Sequence, residues 1–558
     1  MKKLLLVPIF LMLAAVLIFT SCGGTATTTA TQPTATQPTA TQPTATQPTG
    51  TQPIKPEPYG TITIGSTDFS YESTDPVYYE SFWGWSMYEP IITWDPDGNY
   101  VGNDDADWAC TVADSWSISE DGNTWTFKIH KGLKAWNGEP ITAEDVKWSV
   151  DRFGDMTVST NPWSFFLSTM YNTKSTAVID DYTFEFVTNH PEPALVVPFA
   201  WTRVLPKDYF ESVGQEEFRK NPMGSGPWKF VEHTPETSFT MEANTDYWNP
   251  LAIPEYKTLK YLQVPEEATQ VAMLKRGELD MVTVNMDRIV ALQKAGWKTV
   301  EFGFPALINL TVQGSYYETA GPVHDIRVRQ ALSYAINRQE ICDSYYLGNA
   351  VPGGMWFMSP GSYGWKDSWL NFYSYDPDKA KALLAEAGYP DAWEDPVIHM
   401  YISPGSGVDF MQIIQGYWRA VGIDCVIEIV DSVVYGGLYF SFGPLAEDAQ
   451  NVGWIFPWFF NGAPNSTYHA SNMYTSTGVH HGLTDPTIDA MYAKYAAELD
   501  PVKALKYWQE FQEAGHAQYI NIGICMVKPL VISGPNLGAW SYKTWVSSAD
   551  SLAFLKHP

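Results

Sequence analysis

From Tyr59 onward, short runs of alternating apolar and polar residues are interleaved with longer runs of helical spacing. Gly60-Thr-Ile-Thr-Ile-Gly65 alternates with period two and predicts a strand. Trp116-Ser-Ile-Ser and Trp125-Thr-Phe-Lys-Ile129 alternate on either side of Asp121-Gly122-Asn123, which predicts a hairpin. The loop Asn221-Pro-Met-Gly-Ser-Gly-Pro227 precedes a strand pair over 228–232 and 238–243, and further strands are predicted over 306–313 and 426–430. Thr142 with Asp145 opens a helix that sets Val146, Val150 and Phe153 on one face. Asp325 caps a second helix, with Val328, Ala331, Leu332, Ala335 and Ile336 as its apolar stripe. Asp376-Pro377 starts a third, striped by Ala380, Leu383, Leu384 and Ala387 and ended by Gly388, and Asp485-Pro486 starts a fourth by the same device. Strands and helices are mixed throughout, so the expected class is α/β (mixed α+β).

The first sixty residues follow a different pattern. Lys2 and Lys3 precede an apolar stretch from Leu4 to Phe19, too short for a spanning helix and of the form of an export signal. Phe19-Thr20-Ser21-Cys22 then resembles the lipobox of bacterial lipoproteins, in which the cysteine is acylated; the alternative is an ordinary cleaved signal with an incidental Cys. The expectation is a signal segment at 1–22 ending at a lipidated Cys22, and a protein held at the outer face of the cytoplasmic membrane or in the periplasm. A linker is expected over 23–58: from Thr25 to Pro53 the chain repeats Thr-Ala-Thr-Gln-Pro, with Pro33, Pro38, Pro43, Pro48 and Pro53, and offers no large apolar residue to bury. At ~3.1 Å per residue such a linker reaches on the order of 100 Å when extended.

Length and composition narrow the rest. At 558 residues the chain exceeds what one hydrophobic core sustains, so several lobes are expected. A net charge of -28 argues against nucleic acid as a partner, since phosphates are neutralised by clustered Lys and Arg. With 23 Trp and 32 Tyr, aromatic side chains serve packing and also supply material for a binding wall. Cys110, Cys342, Cys425 and Cys525 form no C-x-x-C pair; three pairings are open, among which Cys342 with Cys425 is preferred because both fall in one expected lobe, and the equal alternative is that they are small buried residues.

Catalytic and metal motifs are missing. There is no G-x-x-x-x-G-K-[ST] loop, H-E-x-x-H helix or G-x-S-x-G elbow. Asp95-Pro-Asp97-Gly98-Asn99 lacks the later spacing of a calcium loop and reads as a polar turn, and His480-His481 reads as a solvent-exposed pair. No enzyme activity, metal or cofactor is therefore expected.

Five stretches carry a family resemblance: Ala113–Val146, Asn221–Trp248, Ala272–Asp280, Asp325–Arg338 and Tyr375–Gly388. In this order they resemble the extracytoplasmic solute-binding proteins of family 5, the oligopeptide/dipeptide/nickel group serving ABC importers. The resemblance implies a type II periplasmic-binding-protein architecture of two lobes closing on a hinge, with an extra inserted domain. It would place domain I at 59–95, 221–320 and 530–558, domain II at 96–220 and domain III at 321–529. It also implies a monomer that delivers a small solute to a membrane ABC permease, with peptide as the family's usual ligand.

The resemblance locates ligand recognition in Asn451–Pro464. Peptide-binding relatives usually carry an aromatic followed by an acid there, close to Trp-x-x-Asp, which pairs with the peptide α-ammonium. This chain reads Trp454-Ile-Phe-Pro457-Trp458, with no acid. Aromatics at these positions suit stacking on sugar rings or on an apolar or cationic ligand, so an oligosaccharide or other uncharged solute stands beside peptide as the expected ligand. The candidate contact residues are Trp454, Phe456, Trp458 and Asn461 in this segment, Asn309, Thr311 and Gln313 on the strand over 306–313, and Tyr435 and Tyr439 beyond the strand over 426–430.

Overall fold

The computed structural model describes residues 57–69, 72–77, 83–94, 108–155, 158, 173–192, 195–301, 305–389, 397–402, 407–430, 453–462, 465–478, 483–498, 500–538, 540 and 550–558. The expected signal, Cys22 and the Thr/Pro-rich linker lie outside them, as do Asp95–Asn99 and His480-His481. Among the described residues no helix is long and apolar enough to cross a membrane.

Among the described residues of Glu57–Pro558, four sheets organise the fold. Seven strands form the first: β1 (Tyr59–Ser66), β8 (Trp228–Thr234), β9 (Ser238–Ala243), β10 (Tyr256–Gln263), β11 (Met281–Val282), β12 (Lys298–Glu301) and β19 (Leu530–Ser533), in the order β12-β19-β11-β1-β10-β9-β8. β2 (Ile92–Trp94) pairs with β3 (Trp108–Cys110), and β4 (Ala113–Ile118), β5 (Thr124–Ile129), β6 (Thr173–Asp180) and β7 (Thr183–Thr188) form an antiparallel sheet in the order β4-β5-β7-β6. The last sheet takes β13 (Ala306–Val312), β14 (Ala350–Pro352), β15 (Ile398–Ile402), β16 (Cys425–Ile429), β17 (Ile455–Asn461) and β18 (Asn521–Val527), in the order β14-β18-β13-β17-β15-β16.

The capping signals act as read. Thr142 closes a capping box with Asp145 at the start of the helix Ala143–Gly154, whose Val146, Val150 and Phe153 are buried against the four-stranded sheet. The Asp325 carboxylate accepts from the Arg327 N–H at the head of Ile326–Tyr334, and Asp376 accepts from the Lys379 N–H at the head of Pro377–Glu386. These two helices and Val408–Ala420 bury their apolar stripes on one face of the six-stranded sheet, against Ile308, Leu310, Val312, Ile398, Met400 and Ile455. At the first sheet, Trp83 stacks on Phe239 at 4.3 Å inside a core with Ile62, Ile64, Trp228 and Leu259.

The cysteines correct one expectation. Cys342, Cys425 and Cys525 are buried free thiols, and Cys342 and Cys425 stand too far apart in the sheet to be the preferred pair; the side chain of Cys110 lies outside the described residues. Strand order is the reason. Cys425 sits on β16 at one edge of the six-stranded sheet, whereas Cys342 lies in the turn Ile341–Tyr345 that leads into β14 at the other edge.

The loop Asn221–Pro227 is built on close backbone approach. A Cβ on Gly224 would stand 2.2 Å from the Met87 carbonyl oxygen, which is backbone and has no rotamer with which to yield. Gly224→Ala is expected to destabilise the protein by about 2 kcal/mol or more. Thermal unfolding checks it: a midpoint within about 1 °C of wild type would show that the loop can shift at little cost.

Candidate functional site

The six-stranded sheet has two faces of opposite character, and strand alternation separates them. On β13, Ile308, Leu310 and Val312 enter the helix-covered core, so Asn309 and Thr311 point the other way. β17 runs antiparallel beside it with Asn309 opposite Trp458 and Thr311 opposite Phe456. The second face therefore gathers Asn309, Thr311, Phe456 and Trp458. Trp454 joins the row just before β17: its carbonyl accepts from the Gln313 N–H at 2.8 Å, and its ring stacks on Tyr401 at 3.9 Å. Phe456 lies 5.8 Å from the same Tyr401 ring. Gln313 is buried at the end of this line.

The structure thus brings Trp454, Phe456, Trp458, Asn309, Thr311 and Gln313 together along two adjacent strands. Asn461 pairs with Ala306 at the far end of β17, and its side chain lies outside the described residues. Tyr435 and Tyr439 also lie outside them.

Several members of the site carry no local signal in the sequence. Trp356 and Phe357, from the segment after β14, meet Trp458 edge-on at 5.3 and 6.4 Å. The His469 ring stacks on Phe357 at 3.4 Å, and Trp201 packs against Tyr468 and His469 at 5.6 and 5.8 Å. Trp201 ends the helix Val196–Trp201 beside the four-stranded sheet, so this aromatic chain links two sheets distant in sequence. A polar contact accompanies it: the Tyr492 hydroxyl donates to Glu192 at 2.9 Å.

Behind the aromatics runs a buried polar network. The Thr311 hydroxyl donates to the Asn521 side-chain oxygen at 2.7 Å, and the Tyr373 hydroxyl donates to the Asn521 carbonyl at 2.8 Å. Tyr373 also sits 2.8 Å from His516 Nδ1, while His516 Nε2 receives the Trp356 backbone N–H at 3.1 Å and lies 3.2 Å from the Tyr474 hydroxyl. Since the Tyr373 proton goes to Asn521, Nδ1 is the ring nitrogen that carries hydrogen, and Nε2 is the acceptor. Asn309 differs from these groups. It is 1% exposed, and its amide nitrogen and oxygen have no hydrogen-bond partner among the described residues. A buried amide left unmatched costs about 1–3 kcal/mol. Such a group is suited to meet a ligand that enters the face.

With this geometry in place, similarity to other proteins can be stated. A family model for bacterial extracellular solute-binding proteins, family 5 Middle, matches residues 110–481. The dipeptide-binding protein of Escherichia coli is 29% identical over 341 residues, covering 57% of this chain and 62% of that protein, so the match spans less than two thirds of the relative's length. NikA from Brucella suis, solved in complex with Fe(III)-EDTA, aligns with a TM-score of 0.73 at 20% identity, covering 89% of this chain and 100% of that chain. DppA from Helicobacter pylori, solved with the peptide STSA, aligns with a TM-score of 0.72 at 20% identity, covering 90% of this chain and 98% of that one. These likenesses bear out the expected mixed α/β, type II periplasmic-binding-protein fold.

His516 supplies a pH signature for the site. Burial depresses its pKa from 6.5 to about 3, in keeping with a ring whose Nε2 faces an N–H donor and would lose that bond on protonation. The unfolded chain takes up this proton at the ordinary value while the folded chain does not. The stability this group contributes is therefore complete above about pH 6.5 and declines as pH falls toward about 3. Proton NMR of the imidazoles tests this, with His516→Gln identifying the resonance. The His516 signal should stay in place from about pH 7 to about pH 5, and a titration midpoint near the ordinary histidine value would refute the buried neutral ring.

Proposed function

The chain belongs to the bacterial extracellular solute-binding proteins, family 5, and we propose that it captures a small solute in a cleft between its lobes and delivers it to an ABC permease for import. The observation that carries this reading is the second face of the six-stranded sheet. There Trp454, just before β17, and Phe456 and Trp458, on β17, form an aromatic row beside the unmatched amide of Asn309 on β13. Stiff aromatic surface with a few fixed polar groups recognises solutes, and this constellation offers no activated nucleophile or acid–base pair. This supports a role as a binding protein.

We also propose the division expected from the sequence, with one boundary moved. The seven-stranded sheet takes its strands from 59–66, 228–301 and 530–533, which supports a domain I in three pieces, and the four-stranded sheet supports domain II at 96–220. Domain III is better drawn from before β13 than from 321, because β13 is central to the six-stranded sheet. Closure on a hinge would bring Trp201 and Glu192 to Tyr468, His469 and Tyr492, and a ligand that favours this arrangement shifts the population toward it. Export, a lipid on Cys22, an extended linker and a monomeric state complete the reading.

The relatives named for dipeptide and peptide support a peptide ligand. A specific observation favours a second reading, an oligosaccharide or other uncharged solute. Between Trp454 and Trp458 there is no acid to pair with a peptide α-ammonium, and leaving that cation unpaired in a closed cleft would be costly. Native mass spectrometry of the purified protein identifies what co-purifies, and tryptophan fluorescence against peptide and oligosaccharide panels separates the two readings. Trp458→Ala is expected to weaken binding of the responding ligand by about tenfold or more. If Trp454→Ala and Trp458→Ala both left affinity within about twofold, the pocket would lie elsewhere.

A further inference from the structure

Two of the three described thiols stand together. Cys342 lies in the buried turn Ile341–Tyr345, and its carbonyl accepts from the Gly348 N–H at 2.9 Å as the chain bends toward β14. β14 then runs antiparallel to β18 with Pro352 opposite Cys525, and the Lys528 N–H donates to the Asn349 carbonyl at 3.0 Å just beyond. This short return, held by Arg338 Nε donating to the Gly523 carbonyl at 2.7 Å, places the two side chains in one core, where each is 0% exposed. Cys425 is separated from them by the strands between β18 and β16.

We propose that Cys342 and Cys525 are a built disulfide site, which cross-links the turn before β14 to β18 when the chain folds under oxidising conditions. In an exported protein, which rests on the reading above, two cysteines buried in one core beside adjacent strands are open to oxidation by an accepting disulfide. The reaction is an exchange. The Cys342 thiolate attacks one sulfur of an accepting disulfide, either that of a thiol–disulfide oxidoreductase or oxidised glutathione, and expels the first thiol. The Cys525 thiolate then attacks the mixed disulfide and expels the second. Both cysteine thiols lose their protons, one S–S bond forms, and the acceptor departs as two thiols carrying the two electrons.

The surroundings suit that order. The hydrogen bond from Cys525 lowers the pKa of Cys342, which is therefore the first nucleophile, while burial raises that of Cys525, with the Arg338 guanidinium acting in the opposite sense. Burial pushes the Cys425 thiol up to about 12, so it competes poorly. Because both side chains are 0% exposed in the folded chain, the exchange belongs to folding, before this core is sealed. The cross-link closes a long loop of chain spanning most of domain III, the case in which a disulfide constrains the unfolded state most.

Two preparations of the full chain test the site. In the first, the reduced protein is refolded with oxidised glutathione and mapped by peptide mass spectrometry without reduction. The expected result is one dominant cross-link, Cys342 to Cys525, retained in the Cys110→Ala, Cys425→Ala variant. Reduction should lower the thermal midpoint by roughly 4 °C or more. Recovery of Cys342 and Cys525 as alkylated thiols, or dominance of a link to Cys425 or Cys110, would overturn the proposal. In the second, the protein is taken from cells without reductant. A cross-link there supports site and export together. A link that forms on refolding but is absent in cells supports the site and counts against the export reading.

Discussion

The pairing of β13 on both sides is the constraint on which the six-stranded sheet and its candidate site depend. β17 and β18 each run antiparallel along nearly its whole length, so its register cannot drift without breaking two ladders at once. Side chains of a strand alternate, and a slip by one residue would send Ile308, Leu310 and Val312 out of the helix-covered core and bring Asn309 and Thr311 in. The hydrophobic core thereby fixes the orientation of the candidate site. One irregularity relaxes the ladder where it matters: Ile308 pairs with Cys525 but Asn309 pairs with Gly523, so the register shifts beside Asn309. Gly523 is needed there, because a Cβ would stand 2.0 Å from the Gly354 carbonyl oxygen.

The polar groups behind the aromatic row behave as one unit. Thr311, Asn521, Tyr373, His516 and the Trp356 N–H satisfy one another, and the burial that depresses the pKa of His516 is compatible with that arrangement, since a second ring proton would face a donor. A network of this kind anchors Trp356, which in turn holds Trp458 edge-on. The wall is therefore preorganised by hydrogen bonds that the ligand does not have to supply. Asn309 stands outside that network, and this contrast singles it out as the candidate polar group on the proposed wall.

Helix starts and strand faces were legible in the sequence because their causes are local. Asp325, Asp376 and Thr142 cap the helices that begin after them, and the spacing of Trp454, Phe456 and Trp458 by two places them on one face once the segment is extended. Trp356, His516, Tyr401 and Trp201 could not be read in this way. Each joins the site through strand order or through contact between lobes, and nothing in its neighbouring residues distinguishes it from a core position. The cysteines show the same limit. Cys342 and Cys425 share a lobe, yet the order β14-β18-β13-β17-β15-β16 sets them at opposite edges and brings Cys525, later in the chain, to Cys342.

Related proteins of this fold have been solved with a peptide and with Fe(III)-EDTA, so the scaffold does not choose the ligand. Choice must come from side chains that the scaffold orients but does not consume in packing. In this chain, β13 and β17 present three aromatic residues and one unmatched amide, and the segment between Trp454 and Trp458 has no carboxylate. Stacking tolerates many ring systems, whereas a buried amide must be matched by a donor and an acceptor in fixed directions. If the proposed site is the binding site, selectivity among solutes that fit the aromatic row falls to Asn309, because a ligand that stacks without satisfying it would leave its burial cost in place.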